Sequence, residues 1–320
     1  MVDFSRREMT FSVAAAGLAL GAAGRVTFFP SAIAKEAAEK GFHAFKVGDL
    51  EVTTVFDGVW EKAHDPAFIS NATVDETKAA LKAAGQDDSK VVIPFTVTFV
   101  KMGGKTIMFD AGTGAQVSPM AGKLAGNMAA AGIDPKTIST VLVTHFHPDH
   151  IFGLMEKDTN AQMYPNAEIV VPAAEMKFWN DPGVFAKLNE GFHGLAKRIQ
   201  ATLPTWKNVR QIEGEVEAIP GIKSYPAFGH TPGHTVYTLG SGKDQLMVLA
   251  DLTNVPALFA RHPNWHVMFD ADAGLAEANR RKFFDRVVAE KAIMTGYHYG
   301  VAGAGTMQKD GDGYAFVPVA

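Results

Sequence analysis

The stretch Thr144-His145-Phe146-His147-Pro148-Asp149-His150 places four potential metal ligands within six residues. Neither helical nor strand periodicity accounts for that spacing, and histidines seldom cluster in an apolar core. On an extended turn His145 and His147 can point two imidazoles at one ion, while Asp149 and His150 turn toward a neighbouring one. Imidazole nitrogen mixed with carboxylate oxygen suits a borderline cation such as zinc. Further candidates each follow an apolar run: His230 in Gly229-His-Thr-Pro-Gly-His234, Asp251 after Leu246-Met-Val-Leu-Ala250, and His298 after Ile293-Met-Thr-Gly-Tyr297. Alone each is a weak signal, since an aspartate at a strand end is commonly a turn or a cap; their order behind the first cluster makes them a set. The chain has no cysteine, which removes disulfides, thiolate-bound zinc, iron–sulfur clusters and thiol nucleophiles. Its eleven histidines are left to carry metal or acid–base chemistry.

The order His145-x-His147-x-Asp149-His150, His230, Asp251, His298, with Asp110-Ala-Gly112 upstream, resembles the motif set of the metallo-β-lactamase superfamily across the chain after residue 34. The flanking sequence is most similar to the methyl parathion hydrolase and lactonase-like branch: Phe178-Trp179 after the first cluster, Ile219-Pro-Gly-Ile222, and the ending Gly313-Tyr-Ala-Phe-Val-Pro-Val319. The resemblance implies an α/β fold, an αβ/βα four-layer sandwich with a two-metal site along its rim. It implies that His145, His147 and His230 hold a first zinc or other divalent ion, that Asp149, His150 and His298 hold a second, and that Asp251 bridges them. Two metals about 3.5–4 Å apart can share a hydroxide and clamp attacking and leaving oxygens, so hydrolysis is the natural reaction class. A carboxylate suits the bridging position because it has two oxygens and offsets metal–metal repulsion. Asp149 is also a candidate catalytic group, carrying a proton to the leaving group. Asp110, Thr144 and His234 are expected to orient the ligands, the ligand set being complete without them.

Phe146, Phe178, Trp179, Phe192, Trp265 and Phe269 are candidates for the walls of an apolar substrate pocket, Trp179 the best of them, and Phe146, Trp179 and Phe269 are taken as the site residues. Tyr297 and Tyr299 flank His298 and are candidates for polarising a carbonyl. In the phosphotriesterase-like relatives an aromatic follows the Asp-x-Gly motif and an aliphatic residue stands three after the bridging aspartate; here those positions are Val117 and Asn254. These departures argue against organophosphate hydrolysis as the main activity. His43, His64, His193, His262 and His266 have no partner pattern and are read as surface or cap histidines.

The elements that must position these groups alternate between strand and helix without a linker, so residues 35–320 read as a single domain. Strands are predicted at Phe45–Phe56, at Phe95–Phe109 with a turn at Gly103-Gly104, and at 140–144, 167–171, 221–227, 235–239, 245–249 and 292–295. Helices are predicted from the capping-box sequence Thr73-Val-Asp-Glu76 to Ala84, over 119–131, across 173–202, and over 271–289. Residues 1–34 read as a cleaved export signal: Arg6-Arg7 precede a weakly apolar stretch from Phe11 to Ala23 too short to span a bilayer, and Ala32-Ile-Ala34 is a small-x-small cleavage pattern. A twin-arginine-like signal without a stable membrane anchor implies a periplasmic or secreted protein.

Over 320 residues, 47% hydrophobic and 20% charged, the composition is globular, and a net charge of -4 offers no basic face for nucleic acid. The function expected is an exported dinuclear metal hydrolase acting through a metal-bridging hydroxide on lactones or aryl esters, small uncharged or weakly polar substrates, with promiscuity toward phosphotriesters. The alternatives are a β-lactamase or another hydrolase of the superfamily, acting on thioesters or phosphodiesters, and, least favoured, a non-catalytic metal-binding protein. Oligomeric state, a homodimer included, is left open.

Overall fold

The computed structural model describes residues 39–319, so the export-signal reading of residues 1–34 lies outside the described residues. Strands β1 (Phe42–Val47), β2 (Leu50–Lys62), β3 (Val91–Met102), β4 (Lys105–Phe109), β5 (Ile138–Leu142), β6 (Glu168–Pro172) and β7 (Val209–Ile212) form one sheet in that order. Strands β8 (Glu217–Ile219), β9 (Ile222–Pro226), β10 (Thr235–Leu239), β11 (Leu246–Ala250), β12 (Ile293–Gly296), β13 (Ala304–Asp310) and β14 (Gly313–Pro318) form a second, ordered β14 to β8. Both sheets are mixed, with parallel pairs at β4–β5–β6–β7 and at β11–β12.

Side-chain alternation shows how the layers arise. On β4, Ile107 and Phe109 join a core between the sheets, while Met108 between them joins the core on the other face. The same split separates Leu142 from Val141 on β5, Val170 from Ile169 and Val171 on β6, and Leu246 and Val248 from Met247 and Leu249 on β11. Strands buried on both faces read as continuous apolar runs, which is why these segments are legible as strands but not as to facing. Beyond the second sheet lies the helix Ala273–Glu290, whose Phe283, Phe284 and Val287 close that core. Beyond the first lie shorter helices, among them Val74–Ala83, Leu124–Ala130, Ala173–Trp179 and His193–Thr202. The result is the αβ/βα sandwich of the metallo-β-lactamase fold. Among the described residues no helix is long and apolar enough to cross a membrane.

In chain order these helices are α1 (Val74–Ala83), α2 (Leu124–Ala130), α3 (Pro148–Ile151), α4 (Ala173–Trp179), α5 (His193–Thr202), α6 (Pro256–Phe259) and α7 (Ala273–Glu290). The capping box of α1 is formed, Thr73 Oγ1 accepting from Glu76 N–H and Glu76 accepting from Thr73 N–H. The single strand expected over Phe45–Phe56 is two, because Gly48 at φ 55° makes a two-residue turn that lets Val47 pair with Leu50. The expected helix over 119–131 begins only at Leu124, and the helical stretch 173–202 is broken between α4 and α5 by short 3₁₀ turns.

One irregularity matters for the site. The β2–β3 register shifts between Phe56 and Gly58, and Gly58, at φ 124°, has no room for a Cβ, which would meet Met120 O at 2.3 Å. This bulge turns Asp57 inward, where its carboxylate accepts from the N–H groups of Thr113, Gly122 and Leu124 and from Thr113 Oγ1. The loop after β4 is thereby pinned beneath the site.

Candidate active site

All seven sequence-predicted ligands converge where strands of both sheets end. His145, His147, His230 and Asp251 form one group of candidate ligand atoms and Asp149, His150, Asp251 and His298 another, the atoms of each within 4.8 Å of one another. Asp251 belongs to both. The first cluster follows β5 and enters α3, with Pro148 at a first-turn position where a missing N–H costs nothing. His230 follows β9, Asp251 follows β11 and His298 follows β12.

The outward nitrogens of four rings are all engaged. His145 Nδ1 donates to Thr144 Oγ1 at 3.0 Å, His150 Nδ1 to Asp110 Oδ2 at 2.8 Å, His230 Nδ1 to Asp270 Oδ1 at 2.8 Å and His298 Nδ1 to the Pro94 carbonyl at 2.8 Å. Each neutral ring therefore presents an Nε2 lone pair inward. There it meets other lone pairs: His298 Nε2 is 2.8 Å from Asp251 Oδ2, His150 Nε2 is 3.1 Å from Asp251 Oδ1, and His147 Nδ1 lies 3.1 Å from His145 Nε2 and 2.9 Å from His230 Nε2. His150 Nε2 and Asp251 Oδ1 are buried without a hydrogen-bond partner. Such an arrangement is repulsive unless positive charge lies within it, as protons or as metal ions, so the residues fit a pair of cations.

The electrostatics follow. Burial, then the neighbouring His150, hold His145 well below the usual imidazole value, and burial with His230 does the same for His147. Both are thus kept in the neutral form that ligates. Burial also opposes charge on His150 and His230, but Asp251, Asp149 and Asp110 carry His150 well up, and hydrogen bonds to Asp251 and Asp270 move His230 up to about 9. Burial works against the Asp251 carboxylate too, yet His298 and His150 hold it well below the usual carboxylate range.

Asp110, Thr144 and His234 sit behind these atoms. Asp110, at φ 61°, accepts from Thr144 N–H at 2.7 Å and Thr144 Oγ1 at 2.8 Å in addition to His150. His234 Nε2 accepts from Asp251 N–H at 3.2 Å, and burial pushes this histidine down to about 3. It props the Asp251 main chain and contributes no atom to either ligand group.

A cavity of about 230 Å³ opens onto His147, Asp149, His230, Asp251 and His298, walled by Trp60, Ile93, Phe95, Val117, Phe192, Asn254 and Phe269. A second, more polar depression of about 400 Å³ adjoins it, sharing His147, Phe192, His230 and Phe269. Phe269 does face the cavity, in contact with Trp60 and Phe68 at 6.1 and 6.0 Å between ring centroids. Phe146 does not: it is fully buried in the core, its N–H donating to Glu175. Trp179 is 1% exposed; it borders the second depression and packs on Phe192, and its indole N–H donates to Glu175 Oε2 at 2.8 Å. Tyr297 and Tyr299 are corrected likewise. The Tyr297 hydroxyl donates to the Asp149 carbonyl at 2.5 Å while its ring lies 3.9 Å from that of His150, and Tyr299 is packed against Phe316. Neither hydroxyl lines the cavity.

Sequence reasoning missed Glu175, Asp270 and Arg280. Glu175 is fully buried, and its carboxylate accepts from Phe146 N–H, Gly233 N–H and Trp179, joining the two histidine-bearing loops. Asp270 orients His230 and faces Arg280, which donates to the carbonyls of Leu252, Pro263 and Trp265. A lone acid in the first turn of a helix carries no pattern that separates it from a helix-start residue. Of the histidines read as surface or cap residues, His64 and His193 meet main-chain carbonyls, His266 meets Glu277 and His262 stacks on Trp265.

A fold of this kind with paired ligand groups defines a class. The chain matches the metallo-beta-lactamase superfamily over residues 91–293, more than half of its length, and belongs to that superfamily. It is a metal-dependent hydrolase. Among similar solved structures, AidC, a dizinc quorum-quenching lactonase in complex with the product N-hexanoyl-L-homoserine, is 27% identical, with 88% of this chain and 98% of that chain covered and a TM-score of 0.81. The hydrolase AbOPH of the beta-lactamase superfamily is 23% identical over 88% and 98%, at 0.80. A quorum-quenching N-acyl homoserine lactone lactonase is 18% identical over 81% and 93%, at 0.55. The last two share the fold.

Proposed function

We propose that this protein is an exported dizinc hydrolase that opens lactones or cleaves aryl esters. The observation that carries this reading is the apolar, aromatic-walled cavity set directly on the inward atoms of two ligand groups that share Asp251. Such a wall suits an uncharged substrate with an acyl or aryl arm, and a basic rim for a polyanion is lacking among the residues that line it. The similarity to a dizinc lactonase supports the same substrate class. His145, His147, His230 and Asp251 would hold one ion and Asp149, His150, Asp251 and His298 the other. When bound, two divalent ions polarise a carbonyl and lower the pKa of water.

The chain's own residues supply the rest. Phe192 and Phe269 exclude water from the arm of the substrate. Asp149, whose side chain is 15% exposed against 4% for Asp251, is the more open of the two carboxylates that face the cavity. Although burial opposes it, His150 and then His298 keep Asp149 below the usual carboxylate range, so it begins ionised. It can take the proton lost by the attacking water and return it to the leaving oxygen. Arg6-Arg7 and Ala32-x-Ala34 support export to the periplasm or beyond.

The test is a panel of N-acyl lactones, aryl acetates, phosphotriesters and β-lactams turned over by metal-replete protein, with elemental analysis alongside. Lactones or aryl acetates should lead, with two ions per chain. Turnover confined to β-lactams, or one ion with full activity, overturns the reading.

A further inference from the structure

The wall of the 230 Å³ cavity is apolar except at a few points. Apart from the candidate ligands and the half-buried Trp60, Asn254 is the side chain in it with hydrogen-bonding groups. It stands three residues beyond Asp251, is 4% exposed, and begins the turn into α6. Its Oδ1 is engaged, accepting from Val255 N–H at 3.0 Å. That bond fixes the orientation of the amide and leaves Nδ2, which makes no hydrogen bond among the described residues, as the group the side chain offers to the cavity. A donor held in an apolar wall loses its water when a ligand enters, and this costs binding energy unless the ligand brings an acceptor.

We propose that Asn254 is a specificity residue: its Nδ2 donates to a second carbonyl of the substrate, an amide or ester oxygen outside the scissile bond, and so selects acyl-linked substrates over purely hydrocarbon ones of the same size. This rests on the hydrolase reading for the substrate class but not for its test. A site built around a donor rejects a ligand lacking the acceptor more strongly than it rejects a small change of apolar bulk.

The experiment measures Kd by calorimetry for two γ-lactams of equal side-chain length, one joined to its arm through an amide and one through methylenes only, on metal-replete wild type, Asn254→Leu and Asn254→Asp. Lactams resist opening, so binding is read without turnover. Asn254→Leu also removes the acceptor for Val255 N–H, whereas Asn254→Asp keeps an acceptor there and replaces the Nδ2 donor with a second oxygen, adding a negative charge that both lactams meet alike. Wild type should prefer the amide-linked lactam by about tenfold, and both variants should bring the ratio near one. A ratio near one in wild type, or one that survives in either variant, overturns the proposal. Lactones that wild type fails to open would sink the hydrolase reading separately, while the lactam ratio still decides Asn254.

Discussion

At Asp251 one carboxylate serves both ligand groups, its two oxygens 2.8 Å from His298 and 3.1 Å from His150. Asp251→Asn nearly preserves the shape and removes the negative charge that would lie between two bound cations. We expect turnover to fall by on the order of a thousandfold or more with the folded state retained, since one well-placed electrostatic group is worth several kcal/mol in the transition state. Matched turnover, metal content and circular dichroism check this; near-normal rates with both metals bound would show that Asp251 is not shared. At Trp179 the structure changes the expected consequence. A buried indole bonded to Glu175 is a support, so Trp179→Phe should destabilise the protein by about 1–3 kcal/mol by leaving that carboxylate short of a donor. Rates on all substrates should then fall by a common factor, whereas Phe269→Ala, at the cavity face, should alter their ratios. A substrate-dependent loss in Trp179→Phe would return Trp179 to the pocket wall. The candidate ligands were legible because their chemistry is written in short contiguous motifs, His145 to His150 above all. Glu175 was not, because its role depends on Phe146 and Gly233, far away in sequence, arriving at the same point.

Among the elements, legibility followed local signals. Gly103-Gly104 and the Thr73/Glu76 box announced a turn and a helix start, and both are present. Thr73→Ala should cost about 1 kcal/mol, since it removes the side-chain acceptor for Glu76 N–H. Calorimetry should show a melting point lower by roughly 2 °C, and an unchanged melting point would mean that the box adds nothing beyond packing of α1 on α6. The Gly48-Asp49 turn was passed over because apolar residues continue on both sides of it. The hairpin of β13 and β14 went unread although Asp310-Gly-Asp-Gly313 turns it, with Asp310 paired to Gly313. The facing of β4, β5, β6 and β11 could not be told from sequence, since their central stretches, Ile107–Phe109, Val141–Leu142, Ile169–Val171 and Leu246–Leu249, are apolar toward both faces.

For the whole molecule, ligation couples to stability. Ions that bind the folded chain and not the unfolded one add about 4 kcal/mol each when present at a thousand times their Kd. Removing them with a chelator should lower the melting point by several degrees and abolish turnover, and zinc should restore both. A melting curve indifferent to chelation would argue that the inward lone pairs are balanced by protons alone.

The chain passes from one sheet to the other only between β7 and β8, through residues 213–216, all exposed. Everything before that passage supplies His145, His147, Asp149 and His150; everything after it supplies His230, Asp251 and His298. Neither ligand group is complete in either part. A gene cut at Gly214 would therefore yield two pieces that are each inert, and that reassemble through the apolar faces of Val100, Leu142, Tyr237 and Val248. Hydrolysis would then report the meeting of two fragments, its rate following the product of their concentrations until the pair saturates.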